Sequence, residues 1–179
     1  MKVIHLLNVL KALILSLSVR IRYPRRFNAD IRQVWENPLH VYIRAGASVT
    51  IGKNLHVRKN VTLRCDSGHI EIGNNVFINN NVSITALKNV TVMDGTTIAN
   101  NVVIVDHDHD YKNGSGFICD DVYIGKNVWI GANTTILRGT RIEHDSVIAA
   151  GSVVKGRIPP HSIVIQKRVQ QILSVDRME

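Results

Sequence analysis

A six-residue repeat between Ile43 and Val154 constrains this chain more than any other feature. Ile124, Ile130, Ile136, Ile142, Ile148 and Val154 stand six apart. Two residues before most of them sits a small or β-branched partner: Val128, Thr134, Thr140, Ser146 and Ser152. A fixed short period of this kind marks a solenoid. β-branched residues fit a pleated strand and resist a helix, so each hexad reads as a short strand followed by a corner.

The register recurs in triplets: Ile51, Val57, Leu63; Ile72, Ile78, Ile84; Val92, Ile98, Ile104; Ile124, Ile130, Ile136; and Ile142, Ile148, Val154. Three hexads close one turn of a triangular prism. Turns stack at strand spacing, so five coils predict a prism on the order of 24 Å tall. The expected class is all-β, a parallel β-helix over residues 41–160. It is preceded by an apolar, basic helical segment and linker (1–40) and followed by a C-terminal extension (161–179). The linker is expected to hold a short helix around Asp30–Glu36. The double proline Pro159-Pro160 is expected to end the prism, because proline cannot continue a hydrogen-bonded coil. Ile163–Ile165 reads as extended, and Val169, Ile172 and Leu173 as a short closing helix.

Extra residues always enter between the third column and the first. The largest excess, 105–121, is expected to protrude, and long loops in compact folds usually carry function. It contains Asp106, His107, Asp108, His109 and Asp110 in succession.

The formal net charge of +8 points to an anionic partner: a phosphorylated co-substrate, an acidic polysaccharide or a membrane surface. Nucleic acid is not expected, since the chain has no recognition helix, aromatic-basic platform or Cys/His finger. The two cysteines, Cys65 and Cys119, give no disulfide framework and are expected to be reduced. Residues 1–22 are apolar with Lys2, Lys11, Arg20 and Arg22 interspersed. Lys11 argues against a spanning helix, and no small-residue cleavage site follows. Two readings remain: a helix on a membrane surface, or one packed on the oligomer.

From Ile70 to Pro160 the chain resembles the hexapeptide-repeat acyltransferases, in the branch of galactoside, maltose and polysaccharide O-acetyltransferases. The resemblance rests on Asn79-Asn80-Asn81-Val82-Ser83-Ile84, and on His109 five residues after Ile104. It rests further on Ile124-Gly125-Lys126-Asn127-Val128-Trp129-Ile130-Gly131-Ala132, on Ser146 to Val154, and on Ile158-Pro159-Pro160. It implies a left-handed coil, which periodicity alone does not. It also implies a homotrimer with active sites between subunits, and acetyl-coenzyme A (acetyl-CoA) as co-substrate, with no metal expected.

By position, His109 is the implied general base and Asn79 an acceptor contact, with Trp129 walling the site. His107 and Asp110 are further acceptor-side candidates. Gly131, Ala132, Ala150 and Lys155 fall where coenzyme contacts cluster. Lys167 and Arg168 are candidate phosphate contacts where the chain departs from the family's closing motif. The N-terminal helical motif of the galactoside and maltose enzymes is missing, which argues against a small free sugar. A surface polysaccharide or its lipid-linked precursor is the expected acceptor, and the cytoplasm, at the inner membrane face, the expected location.

Such a transfer needs a base for the alcohol proton and donors for the oxyanion. Asp108 or Asp110, or a backbone carbonyl, is expected to fix the tautomer of His109, and the N–H of Gly131 or a neighbour to serve the oxyanion. Two other classes stay open. His107 and His109 among acidic residues suit a metal, as in the gamma-class carbonic anhydrases, although that family's histidine spacing is not seen. A non-catalytic trimeric scaffold is the third.

Overall fold

The computed structural model describes residues 2–36 and 39–167. One helix, α1 (Lys2–Arg22), precedes a parallel solenoid with three faces. The first face stacks seven strands: Phe27–Ala29, Ser48–Ile51, His69–Ile72, Asn89–Val92, Val122–Ile124, Arg141–Ile142 and Arg157–Ile158. The second also stacks seven: Gln33–Trp35, Leu55–Val57, Phe77–Ile78, Thr97–Ile98, Trp129–Ile130, Val147–Ile148 and Ile163–Val164. The third has six: His40–Ile43, Thr62–Cys65, Ser83–Ala86, Val103–Val105, Thr135–Ile136 and Val153–Val154.

The repeat columns are the inward rows. Ala29, Ile51, Ile72, Val92, Ile124, Ile142 and Ile158 lie in register on the first face. Ile78, Ile98, Ile130 and Ile148 on the second face, and Leu63, Ile84, Ile104 and Ile136 on the third, are buried without exposure. Each such side chain contributes roughly 1.5–3 kcal/mol on leaving water. The inward hydroxyls are satisfied by corner carbonyls. Thr140 donates to Leu137 and Val154, Ser152 to Ala149, and Ser146 to Pro159. At the corner between the second and third faces, Asn60, Asn81, Asn101 and Asn133 adopt φ of 56–59°. Their amides form a ladder with 3.0 Å steps; asparagine tolerates this left-handed backbone better than most residues.

The prism is longer than the repeat count implied. It begins at Phe27, not Val41: the stretch expected to form a helix at Asp30–Glu36 is a coil, with Trp35 buried inside it. Six strand spacings give about 29 Å. Gln33 takes an inward polar place there, donating to Asp30 and Gly52 and accepting from the Leu55 N–H, which conceals the hexad pattern. Nor do Pro159 and Pro160 end the prism. They occupy a corner where no ladder N–H is required, and Ile163–Val164 pairs with Val147–Ile148 beyond them. The expected closing helix at 169–173 lies outside the described residues. Cys65 and Cys119 are both free thiols.

α1 lies across the N-terminal end of the prism. Ala12 and Ser16 are buried against it, Arg20 donates to the Ala29 carbonyl at 2.6 Å, and the Tyr23 hydroxyl reaches the Val41 carbonyl at 3.3 Å. The helix thereby covers strand edges of the first coil that would otherwise expose unpaired backbone.

Candidate active site

The long insertion leaves the prism at the corner between the third and first faces and folds into an antiparallel hairpin. His107–His109 pairs with Phe117–Cys119, with His109 opposite Phe117 and His107 opposite Cys119. Alternation along a strand puts His107 and His109 on one side and Asp108 on the other. Both imidazoles contact Phe117, His107 edge-on at 5.4 Å and His109 tilted at 4.7 Å between centroids.

The root of the hairpin is fixed by Asp106, which has no solvent exposure. Val102, Ile104 and Asp106 share inward parity, so the carboxylate enters the prism wall where an aliphatic residue would otherwise stand. It accepts the Leu87 N–H at 2.9 Å, the Lys88 N–H at 2.7 Å, and a contact from His107 Nδ1 at 3.0 Å. A carboxylate only accepts, so His107 carries a proton on Nδ1, and in the neutral ring Nε2 holds the lone pair. The His107 side chain keeps 18% of its exposure, open enough to meet a substrate and held on one side.

The coil above grips the hairpin's other side. Arg138, just beyond the strand Thr135–Ile136, donates from Nε to Asp108 at 2.6 Å and from Nη1 to Asp120 at 2.5 Å. The Asp108 carboxylate holds the guanidinium proton more firmly than usual, with Asp120 adding to the effect. One cation therefore ties both hairpin strands to the prism.

These contacts correct the expected roles of the loop's acids. Asp108 is engaged by Arg138. Asp110 closes the hairpin turn, accepting from the Lys112 and Asn113 backbone and the Asn113 side chain; the Asn113 amide holds its carboxyl below the usual range. Neither hydrogen-bonds the side chain of His109, which is exposed and whose ring has no hydrogen-bond partner among the described residues. Arg138 and Phe117 were missed as candidate site residues, and Asp106 was read only among the acids of a possible metal cluster. The inward parity of Asp106 was the available signal; Arg138 reaches partners 18 and 30 residues away, and nothing local announces that.

The other candidates occupy different places. Trp129 stands outward on the second face at 56% exposure. Asn79, Gly131, Ala132 and Ala150 gather at the corner between the second and third faces. Asn79 Oδ1 caps the Asn80 N–H there. The Gly131 N–H donates to the Ile148 carbonyl at 2.8 Å, so it belongs to the coil and is not free for an oxyanion. A Cβ on Gly131 would lie 2.5 Å from the Ala150 nitrogen, so this glycine is required by the coil above. Lys155 and Lys167 are exposed; Arg168 lies outside the described residues. The third face separates the hairpin corner from the glycine corner by roughly 15–20 Å, five or six residues at strand rise. A single chain therefore does not bring the base candidates and the coenzyme-side candidates together.

Among the described residues, one group of three metal-ligating side chains converges: His144, Asp145 and His161, all exposed, at the corner between the first and second faces. The hairpin histidines form no such set, because their acidic neighbours are engaged by backbone, Arg138 and Asn113.

The bacterial transferase hexapeptide (six repeats) family matches residues 121–156. No curated protein matches the chain by sequence. Among solved structures, AntD, an N-acyltransferase from Bacillus cereus in complex with dTDP and coenzyme A, has a TM-score of 0.70 at 16% identity, covering 90% of this chain and 89% of that one. The hexapeptide-repeat-containing acetyltransferase VCA0836 from Vibrio cholerae has a TM-score of 0.54 at 25% identity, covering 89% and 85%. A maltose O-acetyltransferase from Clostridium difficile 630 has a TM-score of 0.51 at 24% identity, covering 87% and 81%. Residues 121–156 thus match bacterial transferase hexapeptide repeats, in a chain whose fold is shared with an N-acyltransferase and with acetyltransferases.

Proposed function

We propose that this protein is an acetyl-CoA-dependent O-acetyltransferase. It acts in the cytoplasm, at the inner face of the membrane, on a sugar hydroxyl of a bacterial surface polysaccharide or its lipid-linked precursor. The observation that carries the reading is the histidine held by a buried carboxylate on a hairpin anchored above and below. His107 Nε2 takes the proton of the acceptor hydroxyl as that oxygen attacks the thioester carbonyl carbon. The tetrahedral intermediate collapses, the C–S bond breaks, and the imidazolium returns its proton to the coenzyme thiolate. The products are an acetyl ester and free coenzyme A.

A second assignment keeps His109 as the base, as the spacing from Ile104 implies. The Asp106 contact favours His107, with His109 and Asn79 on the acceptor side and Asp110 shaping the hairpin tip that borders it. The separation of the two corners supports a homotrimer. In it the hairpin of one subunit faces Trp129, Gly131, Ala132 and Ala150 of the next, and Lys155, Lys167 and Arg168 are the proposed phosphate contacts. Neighbours solved with coenzyme A support the co-substrate.

Calorimetry with acetyl-CoA, alongside light scattering, tests the reading. One coenzyme per subunit and a trimeric mass are expected. A trimer that does not bind the coenzyme would remove the reading and leave the scaffold; a monomer at micromolar concentration would refute the site shared between subunits.

A further inference from the structure

We infer that the outward side of α1 is a docking surface for anionic lipid, and that it sets the prism end-on to the membrane with its N-terminal end down. The inference rests on the membrane contact proposed above and adds the face, the lipid charge and the orientation.

One side of α1 is used up by the fold. Ala12, Ser16 and Tyr23 are buried, with Leu15 and Val19 packed against the core. The opposite side carries Leu6, Leu7, Leu10, Leu13, Ile14, Leu17 and Ile21, exposed by 43–73%. At 3.6 residues per turn these seven fall within an arc of about 120°. Ile31, on the adjoining corner, adds 68% exposure at the same end of the prism. So many exposed aliphatic side chains in one stripe mark an interaction surface.

Charge selects the occupant. Arg20 flanks the stripe on one side and Lys11 and Arg22 flank the other, all exposed, and residues 2–22 contain no acidic side chain. Two copies of this face packed together would bring cations against cations with no counter-charge. An anionic lipid surface satisfies both parts: the stripe enters the acyl boundary and the basic stems reach the headgroups. No helix among the described residues is long and apolar enough to cross a membrane, so α1 lies in the surface plane. Because α1 lies across the end of the prism, its outward side faces along the prism axis. In a trimer of parallel prisms all three copies would face the same way.

The test uses full-length protein with vesicles of phosphatidylcholine alone or mixed with phosphatidylglycerol. Flotation is expected with the mixed vesicles. The double change Lys11→Gln, Arg22→Gln should lower partitioning about fivefold per cation, on the order of 25-fold together. Leu10→Glu with Ile14→Glu, both solvent-facing and so compatible with folding, should abolish it. Orientation is read with brominated lipid: a tryptophan at Leu10→Trp should be quenched and one at Ile163→Trp, at the far end, should not. Wild-type protein that stays soluble over anionic vesicles overturns the membrane contact itself. Flotation that survives the Leu10→Glu, Ile14→Glu change, or equal quenching at both ends, overturns only the assigned face. A change in oligomer mass caused by those glutamates without lipid would assign the stripe to a second copy of the chain. Acetyl-CoA binding by the same variants in solution keeps the catalytic reading separate from all of these outcomes.

Discussion

Replacing Asp106 by asparagine changes one atom in the buried root of the hairpin and tests the assignment of the base. The carboxylate now accepts from two backbone N–H groups and from His107 Nδ1. An amide has one accepting oxygen and one donating nitrogen. If the oxygen stays with Leu87 and Lys88, the nitrogen faces His107 and favours the tautomer protonated on Nε2, which cannot act as a base. If the amide flips, its nitrogen opposes two backbone donors. Either arrangement leaves a buried polar group badly matched, at about 1–3 kcal/mol. Loss of general-base function lowers kcat by about 10²–10⁴-fold, and an analogous Asp→Asn change in a Ser-His-Asp triad costs about 10⁴-fold through the wrong tautomer. Asp106→Asn is therefore expected to lower kcat at least about 10²-fold. The Kd for acetyl-CoA should stay nearly constant, because the coenzyme-side candidates lie across the third face. The assay is release of coenzyme A thiol with an acceptor found by screening labelled acetyl-CoA over capsular and lipid-linked oligosaccharides, together with calorimetry. A folded Asp106→Asn protein that keeps activity within about threefold, well short of general-base loss, would refute the Asp106–His107 pairing.

Three further outcomes follow from the same contacts. Arg138→Ala frees Asp108 and Asp120 and should lower kcat about tenfold or more, the scale of losing tightly held positioning, while exposing the 107–119 hairpin to limited proteolysis; an uncleaved hairpin with wild-type kcat would count against the clamp. Gly131→Ala forces a Cβ against the Ala150 backbone at 2.5 Å, and should cost about 1–3 kcal/mol and lower Tm by roughly 2–4 °C per kcal/mol, measured by differential scanning calorimetry. For pH, the carboxyls of Asp30, Asp110, Glu143 and Asp145 are held below the usual range by Arg32, Asn113, Arg141 and His144 respectively. Their contributions are present above the ordinary carboxylate values near 4 and are lost as pH falls below them. Burial pushes the Cys65 thiol up to about 11, so its contribution is present below the thiol's ordinary value and is lost as pH rises toward 11. A Tm profile that is level between about pH 5 and 8 and falls on both sides is expected; a Tm still rising below pH 4 would contradict the carboxylate contacts.

Most of the architecture was legible because the solenoid writes one rule many times. Each hexad buries the same aliphatic position, so Ile51 to Val154 revealed three faces and the corner at which every insertion leaves. The ends were illegible for the same reason. In the first coil Ala29 and Trp35 replace Ile and Val, and Gln33 enters the interior, so the pattern dissolves although the backbone ladder continues. Pro159 and Pro160 mimic a terminus because proline's effect depends on whether its position in the coil needs an N–H. In the site, the loaded loop was visible from chemistry, but the partners of its acids were not. Asp108, Asp110 and the histidines alternate within five residues, and strand parity alone separates the one that meets Arg138 from those that meet Phe117. Asp106 lies two residues past Ile104 on the inward parity, and that spacing assigns it to the wall.

The central claim is acetyl transfer driven by a hairpin histidine. Its most direct test is transfer of labelled acetyl from acetyl-CoA to the oligosaccharide acceptor by wild type, His107→Ala and His109→Ala, under identical conditions. Wild type should acetylate the acceptor, His107→Ala should lose at least about 10²-fold in kcat, and His109→Ala should lose less than about tenfold, below the range of general-base loss. Equal activity in all three, or activity that appears only with added zinc and disappears with chelator, would contradict the account.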